Sequence, residues 1–417
     1  MTICDTTSRM MPYNSAKKQV LAQIKRIYSD SGLSKSVPLE QAHHLILAEN
    51  VISPMSVPPH DNAAMDGYAL AQRSQFYNPL EYIVVETVLA GDVPQKALEP
   101  GQCARIMTGA MLPPNTDSVV MQELVERTGD MIRLESFPRQ GSNIRRCGED
   151  IAFGAPVFVK GHQLSSVDIG LLASLGIAQV NVIEPIKVAL FATGDELQEV
   201  GRPLAEGQIY DTNSHVLCSA LKALGCEVLN YGIVEDDLNV IREMLMEANR
   251  YCDVIITSGG VSVGDADFVK TALAELGEVD FWKVAMKPGK PFAFGHLSNS
   301  VFFGLPGNPV SAVITFQQLV IPALEMMQGK TPTELPSFWA IAKERIRKRA
   351  GRKDFQRGYY EVHKNGHLHV SALKGQGSGI LSGISRANCL LLLESDREDI
   401  MPGEQVQISL FHPAVQG

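Results

Sequence analysis

The sequence predicts a multidomain α/β protein. Its expected parts are a central, mostly parallel α/β sheet domain, a β-rich insertion domain, an N-terminal mixed domain and a C-terminal β-barrel-like domain. Three observations predict it. Strand-like and helix-like runs alternate between residues 186 and 328, as βαβ units do. Short β-like runs separated by Gly and Pro fill 54–150 and 330–417, as small β-domains require. The 417 residues, 45% of them apolar, suffice for about three separate cores and exclude wholesale disorder.

In chain order, Val20, Leu21, Ile24, Ile27 and Tyr28 form one stripe and predict a helix over 15–30. A second helix is expected from Pro38 to Asn50, with Leu39, Ala42, Leu45 and Ile46 on one face. β-like runs follow at Tyr82–Leu89, Gln102–Met107, Ser118–Gln122 and Met131–Glu135. Residues 154–184 read as strand, helix (Ser165 to Leu175, Ser165 as cap) and strand. The expected domains are thus 1–53 with 151–184, interrupted by 54–150, then 185–329 and 330–417. In the third, strands Val188–Ala192, Glu227–Val234, Asp253–Thr257, Phe281–Ala285 and Val301–Leu305 stand out. Helices Ser214–Leu224, Leu238–Arg250, Phe268–Leu276 and Val310–Met327 alternate with them. Strands Phe338–Arg347, Tyr359–His363, Leu368–Val370, Leu390–Glu394 and Val406–Leu410 would build the last domain.

The net charge of −9 argues against nucleic-acid or membrane-surface partners, which want basic faces. No apolar run approaches the ~18 residues of a membrane span, and Met1 to Lys18 lacks a signal pattern. The seven cysteines are scattered without a Cys-x-x-Cys. They read as reduced thiols of a cytoplasmic protein, and a thiolate metal site is excluded.

In an open parallel sheet, ligands bind outside the carboxyl ends of the strands. Every such end here carries polar residues and glycines: Thr193-Gly194-Asp195-Glu196, Glu235-Asp236-Asp237, the Thr257–Asp267 loop, Lys283 through Pro291, and Gly304 through Ser311. The Ser258-Gly259-Gly260-Val261-Ser262-Val263-Gly264 loop precedes a helix, so its backbone can approach an anion. Gly307-Asn308-Pro309 repeats the device, with Asn308 as expected cap. Lys287 and Lys290 in a Pro/Gly-stiffened loop read as an oxyanion or phosphate receptor. Glu196, Asp236 and Asp267 would repel one another and a phosphate unless a hard divalent cation, Mg²⁺, joins them. There is no Walker loop, and no Gly-x-Gly-x-x-Gly follows a strand. His43-His44 and the basic stretch Lys343 to Lys353 read as solvated surface.

The motifs taken together resemble the molybdopterin molybdenumtransferase (MoeA-type) family, related to the E domain of gephyrin. The resemblance is carried by Met65-Asp66-Gly67-Tyr68-Ala69, Thr108-Gly109-Ala110, Gly148-Glu149-Asp150-Ile151, Thr193 to Leu197, Thr257 to Gly264, Lys287 to Pro291, Gly304 to Ser311 and Phe355-Gln356-Arg357-Gly358. It implies a homodimer that uses adenylylated molybdopterin and molybdate as substrates and Mg²⁺ as cofactor. The implied reaction inserts molybdenum into the dithiolene with release of AMP. As catalytic residues it implies Asp66, Thr108, Asp150, Glu196, Asp267, Lys283 and Lys287. Thr193, Gly194, Asp195, Ser258, Gly259, Gly260, Ser262, Gly264, Lys287, Lys290, Pro291, Gly307, Asn308, Ser311, Arg357 and Ser378 would bind substrate. Glu196, Asp236 and Asp267 would bind metal. A transient contact with the molybdopterin adenylyltransferase is a further expectation. That adenylyltransferase itself is the alternative function, since it shares the Thr257–Gly264 loop. The residues flanking the middle domain argue against it, and the charged strand ends argue against a purely scaffolding role.

Overall fold

Strands that are apolar along their whole length need cover on both faces, and those of the middle region have it. A computed structural model of the chain describes residues 10–28, 33–71, 80–260 and 268–416. Its six-stranded sheet runs in the order Glu227–Val234, Lys187–Thr193, Val254–Ser258, Val301–Leu305, Pro291–Leu297, Gly277–Lys283. The first four strands are mutually parallel. Pro291–Leu297 is antiparallel to both its neighbours, so Gly277–Lys283 again points the same way as the first four. Five strands therefore end at one rim, and the sixth begins there.

One face of the sheet is covered by Leu238–Tyr251 and Phe268–Leu276, around Phe191, Ile255 and Phe302. The other carries Asn213–Ala223 and the long helical segment from Pro309 to Met327, around Leu190, Ile256 and Phe303. That 19-residue segment is long and apolar enough to cross a membrane by length and composition, unlike what the sequence suggested, but it is almost wholly buried inside the protein. It also carries the buried polar residues Gln317, Gln318 and Glu325.

Several expectations fail. The first helix, Tyr13–Ile27, does not join residues 151–184. Its Tyr13, Ala16, Val20 and Ile24 sit in the core of the α/β sheet, and Tyr13 Oη donates to Gln318 Oε1 at 2.9 Å. The helix expected at 38–50 is a 3-10 turn, Leu39–Gln41, followed by bridges from Ile46 to Gln163 and Leu47 to Val182. Sheet-type pairing with distant residues overrides the helical spacing there, and His44 at φ 65° breaks the helical path. The strand Pro291–Leu297 went unpredicted, and the expected Phe281–Ala285 strand is Gly277–Lys283.

The carboxyl-terminal strands close on themselves. Lys353–Val362 pairs with both Leu368–Ala372 and Cys389–Leu393. Ser337–Ala342 and Gln405–Ser409 complete a five-stranded ring, which leaves no sheet edge. Met286–Lys287 pairs with Lys353–Asp354 and fastens this barrel to the lysine loop.

The chain divides into two units, Met1–Lys35 with Ile183–Gly417, and Ser36–Val182. The second unit contains a sheet ordered Thr116–Met121, Gly67–Ala71, Gln102–Ile106, Glu81–Val88, Met131–Leu134, Val125–Thr128. A separate apolar cluster joins Val37, Ala42 and Leu47 to Leu164, Leu172, Val180 and Val182. The helix Ser166–Ser174 starts as expected, with Ser165 and Asp168 forming a capping box.

Candidate active site

At the end of Lys187–Thr193 the chain must turn sharply, and Gly194 permits it. A Cβ on Gly194 would stand 2.6 Å from Glu196 Oε2, so the missing side chain is what gives this carboxylate its place. The buried Thr193 hydroxyl has no full hydrogen-bond partner among the described residues. One strand over, Asp237 caps the helix Leu238–Tyr251 by accepting from Asn239 N and Val240 N. That commits Asp237 and leaves Asp236 facing the acids. The Asp236 carboxyl is raised above its ordinary range by desolvation first, then by the charges of Asp195 and Glu196. The Thr193 hydroxyl pulls the other way, although the pair falls short of full hydrogen-bond geometry. Three carboxylates thus crowd one end of the rim. Among the described residues no three acids, histidines or cysteines are already gathered at metal-binding distance. The third predicted ligand, Asp267, lies outside the described residues, as do Ser262 and Gly264.

Gly259 and Gly260 turn at φ 95° and 64°. A Cβ on Gly259 would lie 2.5 Å from Thr193 O, whereas one on Gly307 would make only an ordinary contact, 3.9 Å from the Gly259 Cα. Only glycine at 259 lets its strand end lie this close to Thr193. Ser258 is buried, and its Oγ accepts from Asn213 Nδ2 at 2.7 Å, while the same amide donates to Gly307 O at 2.8 Å. Asn213 therefore locks two ligand-facing loops together. The sequence reading did not single it out, and its only signal was the Asp211-Thr212-Asn213 run. Asn308 occupies the cap position ahead of Pro309, but its side chain makes no cap hydrogen bond. Ser311 is buried one turn further on.

The far end of the rim is cationic. Lys283 ends its strand opposite Pro291, which begins the antiparallel one. Lys287 and Lys290 are exposed in the loop between them. Lys283 lies four strands along from Thr193, roughly 19 Å at the usual ~4.8 Å spacing. The predicted residues form a row along one edge rather than a single point. On the barrel strand Lys353–Val362, Arg357 is 1% exposed. Its Nη2 donates to Gly375 O at 2.8 Å and Gly377 O at 3.1 Å, whereas its Nε and Nη1 have no partner among the described residues. Burial lowers its affinity for its proton, though a guanidinium stays charged. Val310 N donates to Ser378 O at 2.9 Å, so the Gly375–Ser378 loop is held over the start of the long helix. A buried guanidinium with N–H groups to spare suits a bidentate oxyanion.

In the other unit, Thr108 donates to Asp66 Oδ1 through both N and Oγ1, each at 2.7 Å. Those two bonds hold the exposed Asp66 below the usual carboxylate range. Asp150 is also exposed, and its backbone N–H donates to Val57 O.

An open α/β sheet with acids at one end of its carboxyl rim and lysines at the other is the frame of this site. The chain belongs to the MoeA family of molybdopterin molybdenumtransferases. Residues 11–176 match the MoeA N-terminal region (domain I and II), 189–326 a probable molybdopterin binding domain, and 340–411 the MoeA C-terminal region (domain IV). It is 44% identical over 405 residues to the molybdopterin molybdenumtransferase of Haemophilus influenzae, covering 97% of this chain and 99% of that one. It is 32% identical to the Bacillus subtilis protein of the same name, covering 92% and 91%. The molybdopterin biosynthesis moeA protein of Pyrococcus horikoshii superposes with a TM-score of 0.82 at 32% identity, over 97% of this chain and 100% of that one.

Proposed function

We propose that the chain takes adenylylated molybdopterin and molybdate as substrates, transfers molybdenum to the dithiolene and releases AMP. The observation that carries this reading is the pairing of crowded acids at the sheet rim with a buried, under-bonded guanidinium in the adjoining barrel, whose Gly375–Ser378 loop is held over the start of the long helix. An elongated ligand with a central anhydride fits such a pairing better than a compact one does. Arg357, Lys287 and Lys290 bind the oxyanion, and the free N–H groups of Arg357 orient it. The unpartnered Thr193 hydroxyl, with the glycine turns at 259 and 307, lets a phosphate approach the backbone.

The acid end consists of hard oxygen donors, and Asp236 among them is raised by desolvation first and then by its acidic neighbours Asp195 and Glu196, which fits a divalent cation. Glu196, Asp236 and Asp267 would hold Mg²⁺, which neutralises anhydride charge when bound. Asp66, kept ionised by Thr108, serves as a fixed charged acceptor. We further read the protein as a cytoplasmic homodimer that meets the adenylylating enzyme transiently. Its described cysteines, all free thiols, suit a reducing compartment.

The test is AMP release from adenylylated molybdopterin, followed with and without molybdate and Mg²⁺. We expect release only when both are present. ATP consumption without molybdate would instead mark the chain as the adenylyltransferase.

A further inference from the structure

The stretch Lys343 to Lys353 is largely exposed, as its composition suggests, but it is not a strand and Lys348 within it turns inward. Residues 347–352 form a turn that walls a cavity of about 800 Å³, with Lys287 opposite. Lys348 is buried, and its Nζ donates to Arg349 O and Arg352 O, both at 2.7 Å. The turn is tied on both flanks, through Lys348 N to Asp399 Oδ1 and Lys353 N to Ala285 O. Arg349 and Arg352 are thus presented by a braced backbone rather than a loose loop.

The cavity's charges do not balance. Five cations (Lys287, Arg347, Lys348, Arg349, Arg352) face three carboxylates (Asp354, Glu398, Asp399). Asp354 is already shared between Lys287 at 3.6 Å and Lys348 at 3.9 Å. Asp399 is engaged by Arg345 and the Lys348 N–H. Among the described residues, no carboxylate lies at ion-pair distance from Arg347, Arg349 or Arg352. Burial lowers the Lys348 ammonium, and nearby Lys287 and Arg352 lower it further against the pull of Asp354. Cations held this close with too few acids are the mark of a site for an anion.

We propose that this cavity is a second binding site for a tetrahedral dianion, separate from Arg357 and sharing only Lys287 with the rim. Arginine forks at 349 and 352 would grip two oxygens each. Lys287 would stand between the two sites, able to serve an anion in either. Which dianion comes here rests on the proposed reaction: molybdate held before its use, or the phosphate monoester of the organic substrate.

Equilibrium dialysis of the full-length chain at low salt tests this, with molybdate and inorganic phosphate as separate probes. We expect the wild type to bind one more equivalent of at least one dianion than the R349Q/R352Q double variant. Arg357→Gln should leave that equivalent in place, and R349K/R352K should retain most of the binding while the double Gln variant weakens it at least tenfold. Binding of molybdate alone identifies a staging site, and binding of phosphate alone a substrate-phosphate site. An unchanged stoichiometry and affinity in a folded R349Q/R352Q protein overturns the proposal. The dialysis needs no turnover: a chain that binds the extra dianion but releases no AMP refutes the reaction and leaves the site standing.

Discussion

The Glu196 carboxylate fills the space that Gly194 leaves open, its Oε2 lying 2.6 Å from where a Cβ at 194 would be. Gly194→Ala must therefore displace an acid without touching the core. We expect AMP release to fall at least tenfold, of the order of a lost positioning interaction of about 1.4 kcal/mol. The Mg²⁺ requirement should rise, while the melting temperature changes by only a few degrees. A Mg²⁺ titration of turnover beside a thermal melt checks both halves.

Asp236 gives a pH-dependent test with a definite sign. Its carboxyl is raised by desolvation and by Asp195 and Glu196, so the folded state holds this proton more tightly than the unfolded chain does. Stability is then lost as pH rises through the raised value. Asp236→Asn removes that loss, so at pH 7 without Mg²⁺ the variant should melt at the same temperature or up to about 2 °C higher. In strong acid the two proteins should melt alike. Turnover should nevertheless drop, because a metal ligand is gone. A variant clearly less stable at pH 7 would show that the acids are not crowded.

Much of this site was legible in the sequence because its polar residues fall directly after apolar strands, where topology alone delivers them to one rim. The strand ends at Thr193, Val234, Ser258 and Leu305 needed no side-chain detail. What stayed hidden depends on tertiary contacts. The strand Pro291–Leu297 follows a Pro-Gly-Lys-Pro turn and runs against the parallel pattern, so alternation of strand and helix could not announce it. The first helix looks alike whichever core it joins, and only its tertiary packing decides: Tyr13, Ala16, Val20 and Ile24 lie in the α/β core, with Tyr13 bonded to Gln318. Ser258 reads as a ligand-binding hydroxyl, yet its place is fixed by Asn213, forty-five positions away in sequence. The cationic cavity was invisible for the same reason: nothing local says that Lys348 turns inward.

The Asp66–Thr108 pair allows a kinetic check. Both hydrogen bonds from Thr108 favour the ionised carboxylate, and Thr108→Val removes the hydroxyl while keeping the backbone donor. The acid limb of the kcat/KM profile should move to higher pH, with little change near neutrality if charge on Asp66 is what matters. A profile that does not move would detach Asp66 from the reaction.

Glu325 offers a stability test remote from the rim. Burial alone would raise its carboxyl, but His412 and the Thr333 hydroxyl and N–H outweigh that and hold it below the ordinary range. A depressed carboxyl stabilises the fold above its unfolded value, and that contribution fades as pH falls through the folded one. Thr333→Val should cost about 1–3 kcal/mol at pH 7 and progressively less in acid. Denaturant melts across pH 3–7 would show the convergence; a cost independent of pH would contradict the linkage.

The central claim is that the acid end of the rim and the guanidinium of the adjoining barrel act on the same bound molecule. A double-mutant cycle on AMP release, with Glu196→Gln and Arg357→Gln alone and combined, measures this directly. We predict strongly non-additive losses, the double variant being hardly slower than the worse single one, as for groups that work as a unit. Losses that simply multiply, or full turnover in either single variant, would contradict it.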